Sequence, residues 1–409
     1  MERVEAEVLV VGGGPGGLAA AAPAAKSGAK TLLFDRGLTV GGQIWRGGTT
    51  EEARQLKSEL ERHRVQTLLE TTIVDAEDGE LRAVVRNQPV ILSAKARVLA
   101  TGARERFLPF PGWTLPGVFG VGALQAMVKQ GLDIDGKEVV LSGTGPLVGA
   151  VASYLASRGA VIQTILEQAP PRQIASFARG ALASGVRLRQ ALQWAGELFG
   201  VEIMPGCWIT DVRSGRGGLL EGVATDGRER WTVRGHFFGV AYGLVPNLEL
   251  PRLLGCRIRD GSVSVDAQQR TNVEGIFAVG ELTGIGGKDK ALAEGRVAGA
   301  IAAGQSPLSQ DVVRAKQERG YAAELATAFA LRDELRQLPR EETIVCRCED
   351  VRFSQVKDLA DAREARILAR CGMGFCQARI CGPAMEFLRG WAPTDPKPPL
   401  EPAEIASIL

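Results

Sequence analysis

The feature that most restricts this chain is its N-terminal run. Glu7-Val8-Leu9-Val10-Val11 reads as a strand buried on both faces, and Gly12-Gly13-Gly14-Pro15-Gly16-Gly17 follows it directly. An alanine-rich helix comes next, then a second apolar strand, Thr31 to Phe34, ending at Asp35. This is a βαβ unit with G-x-G-x-x-G at its first turn and an acid closing its second strand, the pattern that seats a dinucleotide. Gly12 permits the tight turn, Gly14 lets backbone approach a pyrophosphate, and Gly17 lets helix and strand pack closely. The helix, with Pro15 at its start, presents free N–H groups and a partial positive charge to the phosphates. Asp35 is placed to accept hydrogen bonds from a ribose.

The theme recurs at Val139-Val140-Leu141-Ser142, followed by Gly143-Thr144-Gly145-Pro146-Leu147-Val148-Gly149 and a helix through Ser157. The strand Val161 to Leu166 then ends at Glu167. Here the third glycine position holds Val148, and Gly149 arrives one residue late. A valine where helix and strand should touch obstructs the pyrophosphate, so this second site is expected to be a degenerate scaffold. A third landmark, Gly275 to Glu281, is an apolar strand ending in Gly280-Glu281 and is assigned back to the first domain. The expected organisation is therefore a split first domain (residues 1–116 and 263–309), an inserted second domain (117–262) and a helical bridge (310–342). A cysteine module (343–391) and a tail (392–409) with five prolines between 393 and 402 complete the chain.

Glycine is abundant, 51 of 409 residues. Without a collagen repeat, that abundance fits several tight strand-to-helix turns. A formal charge of +2 with no dense basic block argues against nucleic acid. No segment is long and apolar enough to span a membrane, and Val8 to Ala25 has the wrong flank for a signal peptide, so a cytoplasmic chain is expected, membrane-associated only through partners. His63 lies in a charged stretch, and His236 precedes the apolar Phe237-Phe238; neither reads as a general base.

Seven cysteines lie at 207, 256, 346, 348, 371, 376 and 381. Cys207 and Cys256 stand alone and read as buried structural thiols. The other five, clustered in a reducing compartment, point to metal. In an extended segment Cys346 and Cys348 project to the same side and can reach one centre. Cys376 and Cys381 are too far round to share one helical face, and the sequence supplies a loop, Cys371 to Cys376, instead. Gly382-Pro383 reads as the N-cap and first residue of a helix running from Ala384 to Arg389, whose dipole favours an anionic cluster near Cys381. Four thiolates suit [2Fe–2S] or structural zinc. The inserted region has no Cys-x-x-Cys, which leaves a thioredoxin reductase reaction without its dithiol.

Arg97-Val98-Leu99-Ala100-Thr101-Gly102 resembles the Ala-Thr-Gly strand of two-dinucleotide-binding flavoproteins, and Gly280-Glu281 resembles their Gly-Asp motif. That likeness implies FAD, or an adenine nucleotide in its place, on the first site, with Glu281 standing where aspartate is commoner. Cys346-Arg347-Cys348, followed by Gly-Met-Gly-Phe-Cys376-Gln-Ala-Arg-Ile-Cys381, resembles the domain similar to bacterioferritin-associated ferredoxin. It implies a [2Fe–2S] cluster on Cys346, Cys348, Cys376 and Cys381, with Cys371 not required.

Together with Gly41-Gly42-Gln43-Ile44-Trp45, Thr101 to Arg106, Pro109 to Val118 and Gly284-Ile285-Gly286-Gly287, these motifs cover nearly the whole chain. They resemble the large FAD/NAD-type subunit of heteromeric dye-linked amino-acid dehydrogenases: opine, D-hydroxyproline and L-proline dehydrogenases and hydrogen cyanide synthase. The resemblance implies an α/β, Rossmann-like flavoprotein of two dinucleotide-binding domains, the second inserted in the first, plus a small C-terminal α+β iron–sulfur domain. It assigns cofactor contacts to Gly12, Gly14, Pro15, Gly17, Asp35, Arg36, Gly42, Gln43, Thr101, Gly102, Gly280 and Glu281. It further implies a D-amino-acid-oxidase-like partner that oxidises the amine, an FMN at the subunit interface and a small ferredoxin-like third subunit. No catalytic residue is expected in this chain itself. Two other readings stay open: a free-standing NAD(P)H-dependent flavin reductase, and a non-redox assembly subunit.

Overall fold

The computed structural model describes residues 2–46, 50–77, 79–182 and 196–404. It divides into two compact units: Met1–Arg104, Val245–Ala323 and Asp395–Leu409 form the first, and Glu105–Leu244 with Glu324–Thr394 form the second.

The first unit is built on one sheet. Its strands are β1 (Glu2–Val11), β2 (Thr31–Phe34), β3 (Gln66–Leu68), β4 (Thr71–Glu77), β5 (Glu80–Val85) and β6 (Gln88–Leu99), in the order β3-β2-β1-β6-β5-β4. β1 pairs parallel with β2 and β6, while β4, β5 and β6 form an antiparallel meander. The strand Ile276–Ala278 adds to β6 in parallel. The run Val8 to Val11 is apolar at every position because both faces of the sheet are covered. Val8 and Val10 face one core with Leu18, Leu33 and Val98; Leu9 and Val11 face the other with Leu32, Phe34 and Leu92. Helix α1 (Pro15–Lys26) packs on the first face against the helix Lys288–Ala302. A methyl on Gly295 would lie 2.3 Å from Gly16 O and one on Gly299 2.0 Å from Ala20 O, so only glycine lets these helices come so close.

The second unit has a parallel sheet with strands in the order Glu202–Pro205, Val161–Glu167, Glu138–Gly143, Phe237–Ala241 and Val118–Gly120. An antiparallel sheet of Trp208–Ser214, Leu220–Thr225 and Arg230–Gly235 accompanies it. The cysteine module contributes the pair Ile344–Cys346 and Val351–Arg352 and two helices, Ala362–Ala369 and Cys381–Arg389.

The units part at 104/105 and 244/245 rather than at the expected 116/117 and 262/263. The reason is where the apolar side chains go. Leu108 and Phe110 enter the core of the second unit beside Phe238 and Tyr242, whereas Leu248, Leu250 and Leu253 pack on the first. The expected bridge begins as the helix Ser309–Ala328, but that helix stops well short of residue 342, and a short 3-10 turn, Asp333–Gln337, follows. Leu335 and Leu338 anchor this region in the same core as Ala384 of the cysteine module. The tail docks on the first unit, with Leu400 buried and its N–H bonded to Val74 O at 2.8 Å. Among the described residues, no helix is long and apolar enough to cross a membrane.

Candidate functional site

The first glycine turn is tied to its second strand by Asp35, whose Oδ2 accepts the Gly13 N–H and whose Oδ1 accepts the Gly37 N–H, each at 2.6 Å. A methyl on Gly17 would lie 1.8 Å from Gly12 O, so helix and strand meet as closely as the motif requires. A methyl on Gly14 would meet nothing nearer than Gly42 Cα at 4.0 Å, leaving backbone accessible beside Pro15 at the helix start. These features fit a dinucleotide pyrophosphate. The Gly41-Gly42 loop is held over the turn by Gly41 N donating to Gly13 O at 2.7 Å, while Gln43 is exposed. Arg36 points to the tail instead, pairing with Glu401 at 3.1 Å.

Thr101 and Gly102 are clamped by a residue the sequence reading passed over. Asn247 donates its side-chain amide to Thr101 O at 2.7 Å and its backbone N–H to Gly102 O at 3.0 Å. Arg104 holds Asn247 in turn, through Asn247 Oδ1 at 2.8 Å, and pairs with Glu249. Gly280-Glu281 is also fixed by residues not foreseen. Glu294 Oε2 accepts the Gly280 N–H at 2.9 Å, and Lys290 Nζ donates to Gly280 O at 2.7 Å and to Glu294 at 3.0 Å. Both side chains are at most 1% exposed. The Glu281 carboxylate accepts the Gly286 and Gly287 N–H groups at 2.9 and 2.7 Å, just before the helix Lys288–Ala302. Burial pushes its carboxyl above the ordinary range.

The second turn keeps the same scaffold with different surroundings. Glu167 accepts from Thr144 Oγ1, Gly145 N and Ala169 N at 2.7–2.8 Å, and burial pushes its carboxyl upward. Val148 is 2% exposed and packs into the core beneath the helix Pro146–Ala156. The chain's own segment after Ala328 comes beside the turn. A methyl on Gly145, where φ is +86°, would touch the Phe329 ring at 3.7 Å. Gln168 ties that segment down by donating to Ala330 O and accepting from Arg332 N.

In the cysteine module, the sulfurs of Cys346, Cys371 and Cys381 lie within 4.8 Å of one another, all buried. Cys348 is exposed and in hydrogen-bonding contact with Cys376. This corrects the sequence reading twice. The strand ends at Cys346 and residues 347–350 form a turn, so Cys348 lies outside the extended run that the spacing assumed. The helix begins at Cys381 itself, with Ile380 as N-cap, not after Gly382. Cys371, set aside from sequence, joins the buried group. Cys346 Sγ accepts the Gly372 N–H at 3.4 Å, and with the neighbouring thiols this favours its thiolate strongly; Cys371 is pushed up to about 12. A methyl on Gly374 would lie 2.3 Å from Cys348 Cβ, so the loop closes tightly around these thiols. One buried sulfur group and one outer pair fit a two-iron centre.

The segment Pro109–Val118 serves this module. Trp113 Nε1 donates to Ile344 O at 2.6 Å, and Arg347 reaches Thr114 O at 3.1 Å, fixing the strand that delivers Cys346. Cys207 and Cys256 are buried, with thiols pushed upward by burial. His63 ends the helix Glu51–Arg62, and His236 Nδ1 accepts from Glu138 N at 3.1 Å.

An opine oxidase subunit of Rhizobium meliloti (strain 1021) is 31% identical over 93% of this chain and 92% of its own length. Hydrogen cyanide synthase subunit HcnB of Pseudomonas protegens is 26% identical over 98% and 97%. Among solved structures, L-proline dehydrogenase from P. horikoshii is similar with a TM-score of 0.71 at 20% identity, covering 100% of this chain and 80% of that one. Thioredoxin reductase from T. acidophilum gives 0.58 at 17%, covering 73% and 98%. Both structural likenesses concern the fold. The family model described as pyridine nucleotide-disulphide oxidoreductase matches residues 6–306, and this chain belongs to that family.

Proposed function

We propose that this chain is the flavin and iron–sulfur electron-transfer subunit of a heteromeric dehydrogenase that oxidises an amine or amino acid such as an opine, proline or hydroxyproline, with the substrate pocket on a partner subunit. The observation that carries this reading is a first dinucleotide turn closed on its own strand, with Gly17 against Gly12 and Asp35 holding Gly13, in one chain with a buried group of cysteines. Such a chain is equipped to store and relay electrons. The subunit names of the opine oxidase and hydrogen cyanide synthase relatives support membership in a larger assembly.

The first unit would hold FAD or an adenine nucleotide on Gly12, Gly14, Pro15, Gly17, Asp35, Thr101, Gly102 and Gly280, with Glu281 shaping the approach of the helix Lys288–Ala302. Cys346, Cys348, Cys376 and Cys381 would carry a [2Fe–2S] cluster. Together these groups supply the passage from two-electron to one-electron transfer. The expected partners are an oxidase-like catalytic subunit with an FMN at the interface and a small ferredoxin-like subunit, all in the cytoplasm. The test is dye-linked turnover over proline, hydroxyproline, opines, sarcosine and glycine. Sustained turnover by the pure 409-residue chain overturns the proposal; turnover only with an oxidase-like partner supports it. Anaerobic NADH or NADPH should leave the isolated chain's flavin oxidised, and rapid bleaching would favour a free-standing reductase.

A further inference from the structure

The cysteine module holds one thiol more than a four-ligand cluster uses, and the extra thiol is on the buried side. The five divide by position into an outer pair, Cys348 with Cys376, and a buried trio, Cys346, Cys371 and Cys381, whose sulfurs all lie within 4.8 Å of one another. An iron bound at the outer pair has no third cysteine beside it. An iron on the buried side has three thiols within reach of one position and needs two. Cys371 is no chance surface thiol: it is 5% exposed, packs in the module's core with Val356 and Met385, and its N–H is bonded to Ala365 O at 3.1 Å. The next residue, Gly372, donates its N–H to Cys346 Sγ, so the loop bearing Cys371 is held against the buried ligands.

We propose that Cys371 is a reserve ligand for the buried iron, able to take the place of Cys381 or Cys346 when either is lost. In the exchange the Cys371 sulfur would take the departing thiolate's place on the iron, and the proton it loses would pass to that neighbouring thiolate. Iron oxidation state and cluster composition are unchanged. The outer iron has no such reserve. The module is therefore asymmetric, tolerant of losing a buried thiolate and intolerant of losing Cys348 or Cys376. This rests on the cluster reading given above.

The experiment compares serine variants of the full chain, reconstituted anaerobically with iron and sulfide, by iron and sulfide content, visible absorption, and EPR of the reduced state. Far-UV circular dichroism checks folding. Cys371→Ser is expected to keep a full cluster with an almost unchanged spectrum. Cys381→Ser should also keep its iron, with a shifted EPR signal, while Cys381→Ser/Cys371→Ser and Cys376→Ser fall to background. If Cys381→Ser does not fold, Cys346→Ser with and without Cys371→Ser asks the same question. Loss of the cluster in a folded Cys381→Ser or Cys346→Ser chain, or equal retention in single and double variants, overturns the reserve role. Absence of iron and sulfide from the wild-type chain would instead overturn the cluster reading itself.

Discussion

The two glycine turns start from nearly the same local sequence and are packed against different neighbours, Gly42 at the first and Phe329 at the second. At Gly12–Gly17 the acid at the end of the second strand, Asp35, holds the turn, and a methyl on Gly14 would meet Gly42 Cα at 4.0 Å. At Gly143–Gly149 the equivalent acid, Glu167, grips the turn through Thr144 and Gly145, and a methyl on Gly145 would touch the Phe329 ring at 3.7 Å. The lesson is that two turns gripped alike differ in what packs beside them: backbone of Gly42 at the first, the ring of Phe329 at the second. Either turn can do structural work, because the helix behind it and the strand beside it pack in the same way.

The sharpest way to break this comparison is Gly14→Val. The valine side chain would stand where the pyrophosphate approaches the backbone, so the expected result is loss of essentially all bound nucleotide with the cysteine module still folded. Nucleotide released by heat and quantified by absorbance is the measurement, and stoichiometric retention would remove the first site from the comparison. Next in size is Lys290→Met, which strands the buried Glu294 carboxylate beneath Gly280 and should cost about 3–5 kcal/mol in urea unfolding. Pairing it with Glu294→Leu should recover much of that loss, and a neutral single variant would mean that the pair does not support the Gly280 turn.

Gly145→Val is the mirror of the first test. It should leave nucleotide content unchanged but destabilise the chain by about 1–3 kcal/mol, because φ is +86° there and the new side chain meets Phe329. A lost nucleotide would show that the second turn binds after all. The smallest effect is electrostatic. Burial holds the Glu167 carboxyl above its ordinary 4.5, so its proton stabilises the fold. That contribution is full below about pH 4.5 and is lost as the pH rises through the folded value. Glu167→Gln should flatten the fall of Tm with pH across that window, and an unchanged profile would show that burial at this turn carries no penalty.

How much of this was legible depends on the range over which each feature is determined. The βαβ turns, the Gly280-Glu281 landmark and the clustering of five cysteines are local patterns, governed by backbone conformation, strand alternation and helix starts, and the residues themselves announce them. The extended run assumed from Cys346 to Cys348 ends at Cys346, where a turn begins that the local pattern does not announce. Asn247 on Thr101, Trp113 on Ile344 and Phe329 at Gly145 join residues far apart in sequence, and no spacing rule connects them. By itself the sequence determined the kind of chain this is: two dinucleotide-type turns and a thiolate centre. Only the tertiary structure decided what packs beside each turn and which three thiols are buried together, because both depend on side chains brought in from distant segments by the packing of the core.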